Sequence, residues 1–233
     1  MDKLISLQKI NLLTVIITFI LLSSCSTEND CNTFFGYNGS VKSSLERVYE
    51  AEEKFGKWEN GDIEYYGHSL TKFDKKGNYT EINQLDDDGE LTRKIIPNRE
   101  NGQIIEEVFY NDDGEKESLI KINFISANEI ETESFDSNGE KVGGGKVFRE
   151  NGKNVKSVFN QDNENKTITE WEYDKDGNQI SQKMTDERGE IVFFQKYEYI
   201  EFDEKNNWTR RLIYEDGNSK TPKNIAIREI EYY

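Results

Sequence analysis

Apolar and polar residues alternate along most of the chain beyond residue 60, in segments that are too short for a helical repeat. The stretches "QIIEEVFY", "KTITEWEY", "EIVFFQKYEYIEF" and "NWTRRLIY" place β-branched and aromatic residues between Glu, Lys, Arg and Thr. In the second stretch, Thr169, Trp171 and Tyr173 share one face of an extended strand. A period of two residues is typical of β-strands. The pattern therefore predicts a series of strands of about eight residues each.

Turn residues separate these strands at regular intervals. Glycines recur every twelve or thirteen residues, or at about twice that spacing, and they are Gly77, Gly89, Gly102, Gly114, Gly139, Gly152, Gly177, Gly189 and Gly217. Asp74, Asp112 and Asp174 come shortly before three of them, where a carboxylate can accept backbone N–H groups and glycine can adopt a positive φ. Where a glycine is missing, the turn-prone stretches "SAN", "NEN" and "EKNN" stand in its place. The repeat predicts type I turns followed by a bulge, which join antiparallel strands.

A run of hairpins without crossover helices predicts an all-β fold. We expect an antiparallel meander of about twelve hairpin-connected strands, in a curled or solenoid-like repeat sheet that either closes on itself or winds as a solenoid. The segment "VKSSLERVYEAEEKFG" is ambiguous, since Val41, Leu45, Val48 and Phe55 fit a helical stripe while Leu45, Arg47 and Tyr49 alternate. A first long strand is favoured, because every later element is a hairpin.

The N-terminus has the pattern of a secretory signal. Two lysines precede an apolar run from Ile10 to Leu22, which is short for a membrane span, and "LSSC" follows. The last four residues resemble the lipobox of bacterial lipoproteins, which implies cleavage before Cys25 and attachment of lipid to its thiol. We expect a signal peptide at residues 1–24, a lipidated tether at 25–40 and a YD-like repeat β domain at 41–233. Acyl chains on Cys25 would anchor the protein to a membrane.

The charge of the chain limits its partners. The formal net charge is −16 at pH 7, whereas nucleic-acid binding requires clustered Lys and Arg to contact phosphates. We therefore expect no nucleic-acid partner. Twelve Tyr, thirteen Phe and three Trp are too many aromatic residues for a disordered chain. The chain has only two cysteines, Cys25 and Cys31, so a lipidated Cys25 would leave no disulfide framework.

The turns "YDKDGN" (173–178) and "FDKKGN" (73–78) resemble the YD repeats of Rhs-type proteins. The ending "FDEKNNWTRRLIYEDGN" with "REIEYY" resembles small Bacteroidetes lipoproteins that carry such repeats. The resemblance implies hairpins wound into extended sheets or shells, with carbohydrate as the expected ligand. It carries over no catalytic residue. A weaker resemblance, to MORN-like antitoxin repeats, depends on the spacing of Gly and aromatic residues alone.

Residues typical of catalysis or metal binding are few. His68 is the only histidine, and catalytic triads and most zinc sites need further imidazoles or thiolates, so we expect a strand residue. "DKDGN" places Asp174, Asp176 and Asn178 at alternate positions, but Gln179 occupies the place where an EF-hand needs glycine. Paired carboxylates such as Asp112 and Asp113 suit a glycoside hydrolase, which ranks third among the functions considered. We predict no cofactor, no metal site and no enzyme activity.

The strongest candidate for binding is the concentration of aromatic residues late in the chain. Aromatic rings exposed along a sheet stack on sugar rings, and a neighbouring guanidinium can bond hydroxyl or acidic groups. The predicted ligand-binding residues are Trp171, Tyr197, Tyr199, Trp208, Arg210 and Tyr214, with Arg211 as an alternative to Arg210. Packing of the same rings within the sheet is the other interpretation.

These features together predict a lipid-anchored, non-enzymatic protein of the bacterial cell envelope. Its repeat sheet would act as an interaction surface for a glycan or an envelope protein. The alternative is a structural or protein-interaction module with no small ligand. The exposure of the aromatic rings distinguishes the two, because a row of exposed rings favours glycan binding and burial favours a scaffold.

Overall fold

A computed structural model describes residues 37–161, 165–217 and 219–233, which form fifteen antiparallel strands within those ranges. The strands are β1 (Val41–Lys54), β2 (Lys57–Ile63), β3 (His68–Phe73), β4 (Tyr79–Leu85), β5 (Leu91–Glu100), β6 (Gln103–Asn111), β7 (Lys116–Ser126), β8 (Glu129–Asp136), β9 (Lys141–Glu150), β10 (Lys153–Gln161), β11 (Asn165–Tyr173), β12 (Gln179–Thr185), β13 (Ile191–Phe202), β14 (Trp208–Tyr214) and β15 (Asn224–Tyr232). The antiparallel meander is confirmed. The predicted number of about twelve strands was too low. It was based on the repeated Asp-x-x-Gly turns, and β1, β2 and β3 precede the first of these turns.

The sheet closes into a barrel. From β3 to β15 each strand pairs with its neighbours in sequence, and β1 pairs with both ends of this run. Ser44 lies opposite Thr71 of β3 on one side and opposite Ile230 of β15 on the other. Fourteen strands therefore form the ring, and β2 extends from it as a hairpin with the second half of β1. Of the two arrangements considered from the sequence, the described strands adopt the closed one.

The ambiguous segment at Val41 is a strand, as the sequence analysis favoured. β1 pairs with β15 from Val41 to Glu50, and its other edge pairs first with β3 and then with β2. Backbone pairing on both edges shows that the segment is a strand. The side-chain pattern alone leaves helix and strand open, because the periodicity of one short segment predicts structure only weakly.

Seven of the described turns have the predicted geometry, whereas the turns at Gly102 and Gly152 are shorter, because Asn101 and Asn151 also have a positive φ, of 51° each. The Asp74 N–H donates to the Asn78 carbonyl at 2.8 Å, the Gly77 N–H donates to the Asp74 carbonyl at 2.9 Å, and Gly77 has a φ of 83°. One carboxylate oxygen of Asp74 accepts the N–H groups of Lys76 and Asn78. The same pair of backbone bonds recurs in the turns that begin at Asp86, Asn111, Asp136, Asp174, Asp186 and Asp203. In the last of these, Asn206 takes the place of glycine with a φ of 63°.

The two faces of the barrel wall differ in composition. One ladder of paired residues runs around the inner face through Ser44, Thr71, Ile82, Ile95 and Phe109, all of them buried. Two buried groups form the core. One comprises Tyr37, Val41, Phe73, Tyr79, Ile82, Ile95, Ile104, Phe109, Ile120, Ile122, Ile130 and Val147, and the other comprises Tyr197, Trp208, Ile213 and Ala226. The outer face carries charged pairs between neighbouring strands.

Candidate functional site

The structure divides the six predicted ligand-binding residues between the two faces. Trp171, Tyr197 and Trp208 are 7%, 3% and 4% exposed, and Tyr199 donates its hydroxyl to the Gln179 carbonyl at 2.6 Å. These four rings belong to the inner face, as their packing and pairing show.

The other two predicted residues lie on the outer face. Arg210 donates to the Trp58 carbonyl at 2.8 Å, and Tyr214 donates its hydroxyl to Glu198 at 2.7 Å. The predicted row of exposed rings is therefore not formed. The sequence pattern identified rings that share a stretch of chain, but it did not show which face of the sheet would be enclosed.

The inner rings surround a buried ion cluster at the seam of the barrel. Glu46 of β1 accepts hydrogen bonds from Arg211 of β14 at 2.7 Å and from Arg228 of β15 at 3.1 Å. The two guanidinium carbons lie 4.5 Å and 3.5 Å from the centre of the Trp208 ring. Burial by itself would raise the pKa of Glu46, but the two guanidinium charges outweigh it and hold that pKa below its ordinary value. The cluster joins β1 to β15, its neighbour at the seam, and to β14, the next strand beyond it.

A second buried carboxyl lies on β6. Glu107 is fully buried, and one of its oxygens accepts a hydrogen bond from the Tyr79 hydroxyl. Arg99 stacks on the Tyr79 ring, with its guanidinium carbon 5.1 Å from the ring centre. Burial raises the pKa of Glu107 to about 8, although the Tyr79 hydrogen bond and the Arg99 charge oppose the rise. Glycoside hydrolysis needs two carboxyl groups that flank a substrate in a cleft, and Glu107 has no accessible surface.

His68 is a structural residue of β3. Its Nδ1 accepts the Val48 N–H at 3.1 Å, and its Nε2 lies 2.5 Å from the Glu64 carbonyl oxygen. Because Nδ1 accepts, the ring proton is on Nε2 and is donated to Glu64. Both ring nitrogens are thus engaged, which confirms the interpretation of His68 as a strand residue. Within the described residues no group of three or more His, Cys, Asp or Glu is placed to hold a metal ion.

A concave site lies on the outer face of β6 to β10 and forms a groove, which we call the outer groove. It has a volume of about 860 Å³. Its floor includes a single ladder of paired residues across all five strands, namely Glu106, Lys121, Glu133, Gly144 and Asn160. The remaining lining residues are Ile105, Ile122, Asn123, Glu131, Thr132, Lys141, Val142, Gly143, Gly145 and Lys146.

Three consecutive glycines shape the outer groove. A Cβ added to Gly144 would lie 2.6 Å from the Thr132 carbonyl oxygen, and one added to Gly143 would lie 2.8 Å from the Asn160 carbonyl oxygen. At Gly145 a Cβ would contact the Val158 carbonyl oxygen. At these three positions the backbones of β8, β9 and β10 thus approach more closely than a side chain on β9 would permit. The Phe159 ring lies against the positions of Gly143 and Gly145, and it covers them from inside.

Charges of both signs line the outer groove. Lys141 pairs with Glu133, and Lys146 pairs with Glu131 at 3.0 Å. Lys121 differs, since its ammonium lies 4.8 Å from the centre of the Phe135 ring. Three lysines and three glutamates line the groove together with two asparagines. This arrangement offers hydrogen-bond donors and acceptors to a polar ligand without a net charge.

The outer groove was not predicted from the sequence. Glycines were interpreted as turn residues, and the run "VGGGK" at 142–146 did not fit the spacing of the turns. Glycine inside a strand pattern is a signal for close backbone approach, so the signal was present. The ladder itself could not be read from the sequence, because its five members come from five strands.

No helix in the described part of the chain has the length and hydropathy needed to cross a membrane.

No protein-family model matches the chain, and no curated protein matches it either.

Two solved structures of porin-like proteins are similar to the chain in outline. The one from Bacteroides uniformis has a TM-score of 0.34 and 10% identity over 82% of this chain and 96% of its own. The one from Bacteroides vulgatus has a TM-score of 0.37 and 13% identity over 83% and 98%. Likeness at this level supports no functional inference, and the resemblance to YD-repeat proteins stays a prediction.

Proposed function

We propose that the protein is a lipid-anchored, non-enzymatic component of the bacterial cell envelope that binds a glycan in the outer groove. The observation that carries the proposal is the groove itself, a concave surface of about 860 Å³ on five strands. Ligand sites in proteins are typically concave, with a few polar groups that fix the orientation of the ligand.

The chemistry of the groove favours a neutral, hydroxyl-rich ligand. Sugar hydroxyls both donate and accept hydrogen bonds, and the alternating Glu106, Lys121 and Glu133 offer partners for both roles. Equal numbers of lysines and glutamates give no net attraction for a polyanion such as nucleic acid. No aromatic ring is among the residues that line the groove, so recognition here would depend on hydrogen bonds rather than on the ring stacking expected from the sequence.

The outer face of the strands supports anchoring by lipid rather than by the barrel wall. Ion pairs such as Lys72–Glu81, Lys183–Glu170 and Arg47–Glu229 link neighbouring strands on that face. A charged side chain on a lipid-facing strand costs about 2–4 kcal/mol for Lys or Arg at the bilayer midplane. A wall with this many charges is suited to water. The predicted signal peptide (1–24), Cys25 and the predicted tether (25–40) as far as residue 36 lie outside the described residues. Lipidation of Cys25 would supply the attachment.

Binding is tested on a glycan array with the purified protein and two matched variants. Lys121→Ala removes an ammonium from the groove, and Lys196→Ala removes one from the outer face of β13, away from the groove. We expect binding of a glycan to weaken at least tenfold with Lys121→Ala and to be unchanged with Lys196→Ala. Equal binding by both variants would contradict the outer groove as the site.

A scaffold without a small ligand is the second candidate. The burial of Trp171, Tyr197 and Trp208 favours it, because these rings pack in the wall and are not available to a ligand. The same array distinguishes the two candidates, since a scaffold binds no glycan in either the unmodified protein or its variants. Membrane attachment is tested separately, because Cys25→Ser should move the protein from the membrane fraction to the soluble fraction.

A further inference from the structure

The turns of the barrel fall on two opposite rims. Because neighbouring strands run in opposite directions, alternate turns lie at opposite ends of the ring. The turns at 74–78, 174–178 and 203–207 share an end with the beginning of β1, which we call the N-terminal rim. The turns at 86–90, 111–115, 136–140 and 186–190 share the other end, which we call the far rim.

The two rims differ sharply in charge. The four far-rim turns read "DDDGE", "NDDGE", "DSNGE" and "DERGE", which amounts to twelve carboxylates and one guanidinium. The three five-residue turns of the N-terminal rim read "DKKGN", "DKDGN" and "DEKNN", which amounts to five carboxylates and four ammonium groups. The two-residue turns at 101–102, 127–128 and 151–152 lie on the same rim and carry no charged side chain. Net negative charge is therefore concentrated at one end of the barrel.

The turn geometry does not require this difference. The fifth residue of each five-residue turn donates its backbone N–H to the side-chain oxygen of the first residue at both rims, at 2.9 Å from Asn78 to Asp74 and at 2.8 Å from Glu90 to Asp86. Asn78 adds a side-chain bond to Asp74 at 3.0 Å, whereas Glu90 is exposed. The first carboxylate of a far-rim turn, such as Asp86, thus serves the turn, but carboxylates such as Asp87, Asp88 and Glu90 are not needed for its backbone bonds. What these additional acidic residues share is the end of the barrel on which they lie.

The chain enters the barrel at the N-terminal rim and is fixed there. The Asn38 N–H donates to the Asn207 side-chain oxygen at 2.5 Å, and the Asn207 amide donates back to the Asn38 carbonyl at 2.9 Å. The Asn38 side chain donates to the Asn206 carbonyl at 3.1 Å. These bonds tie residue 38 to the turn between β13 and β14. A lipid on Cys25 would therefore be connected to the barrel at the N-terminal rim.

We propose that the barrel stands on a lipid bilayer with its N-terminal rim against the headgroups and its far rim directed away from the membrane. The proposal rests on the proposed lipid anchor at Cys25. Twelve residues from Cys25 to the barrel span about 40 Å when extended. Most of the strands have seven to ten residues, and strands of that length tilted in a barrel are about 20–25 Å tall. The tether is thus long enough for either rim of the barrel to contact the bilayer. The difference in charge between the two rims determines which of them faces the lipid.

An anionic bilayer repels the far rim and tolerates the N-terminal rim, because the surface potential of anionic lipids acts within about one Debye length. Lysines on the N-terminal rim lie beside tyrosines at the end of the chain. The Lys205 ammonium is 4.8 Å from the centre of the Tyr232 ring, and the Lys75 ammonium is 5.8 Å from that of Tyr233. Lysine and tyrosine are residues that suit a membrane–water interface. Their presence therefore supports the N-terminal rim as the lipid-facing one.

The test measures the distance of each rim from the bilayer. The test uses the full-length lipidated protein with Cys31→Ser, which removes the other thiol. One variant adds Lys76→Cys on the N-terminal rim, and a second variant adds Asp87→Cys on the far rim. Each variant is labelled with a fluorescent donor and reconstituted in vesicles that contain 30% phosphatidylglycerol and a headgroup-labelled acceptor. We expect transfer from position 76 to be at least twice as efficient as transfer from position 87. Equal transfer, or greater transfer from position 87, would overturn the proposed orientation.

Two further measurements separate the orientation from the anchor. Protein that fails to float with the vesicles although Cys25 is intact would refute the lipid anchor, and the orientation with it. Protein that floats but shows no difference between the two positions would refute the orientation alone. Asp87→Asn, Asp88→Asn and Asp113→Asn together should raise transfer from a far-rim label at Glu187→Cys, whereas Lys75→Asn should not. If the three far-rim changes leave transfer unaltered, charge does not set the orientation.

Discussion

Glu107→Gln should make the stability of the barrel less dependent on pH. Glu107 is fully buried on the inner face of β6, where it accepts a hydrogen bond from the Tyr79 hydroxyl. Burial raises its pKa from 4.5 to about 8. Between these two values the unfolded chain releases the proton of Glu107 while the folded chain keeps it. The free energy of unfolding therefore falls as the pH rises through this window, and it levels off above pH 8.

The size of the effect follows from the raised pKa. A difference between 4.5 and about 8 corresponds to about 5 kcal/mol at 1.36 kcal/mol per pKa unit. Glutamine stays neutral at every pH, and its side-chain oxygen can still accept the Tyr79 hydroxyl. We therefore expect the variant to match the unmodified protein at pH 5 within about 1 kcal/mol and to exceed it in stability by about 3–5 kcal/mol at pH 9.

Urea denaturation, followed by tryptophan fluorescence at pH 5, 7 and 9, measures these differences. Glu106→Gln is the matched control, because Glu106 is the preceding residue and faces outward beside Asn98 and Lys121. The control should follow the unmodified protein at all three pH values. If the stability of Glu107→Gln and that of the unmodified protein change in parallel from pH 5 to pH 9, the buried carboxyl does not keep its proton and the reasoning fails.

Three other substitutions test the seam, the groove and the turns by the same denaturation assay. Glu46→Gln should lower the free energy of unfolding by about 3–5 kcal/mol, because it leaves two buried guanidinium groups without a counter-charge, and an unchanged value would show that the cluster does not support the seam. Gly144→Ala should cost about 1–3 kcal/mol through the clash with the Thr132 carbonyl, while Gly217→Ala, where a Cβ meets only ordinary contacts, should cost little. Asp174→Ala should cost about 1 kcal/mol by removing the acceptor for two N–H groups of its turn, and Asp174→Asn should restore most of that loss.

The turns were predictable because their causes are local. A carboxylate followed by a residue with positive φ specifies the turn within five residues, and even the degenerate unit that ends in Asn206 keeps the geometry. The alternation of apolar and polar residues likewise indicated strands, and consecutive hairpins indicated a meander. Each of these inferences uses contacts between residues that are close in sequence.

Closure and the direction of the aromatic rings depend on contacts between distant residues. The seam joins Glu46 to Arg228, which are far apart in the chain, and no local pattern specifies it. Trp208 alternates with polar neighbours in the same way whether its face is enclosed or exposed, so the sequence placed it equally well in a binding surface and in a core. Which face of the sheet is enclosed depends on the closure of the whole ring.

The parity of the ring has a consequence for how such a chain can change in length. Strands alternate in direction around the barrel, so its first and last members meet antiparallel only when their number is even, as it is with fourteen. Loss or gain of a single strand would bring those two members together in parallel, whereas loss or gain of a whole hairpin, such as the 25 residues from Gly114 to Gly139, would preserve their pairing. Relatives of this protein should therefore differ in size by hairpin-length steps, with correspondingly narrower or wider barrels.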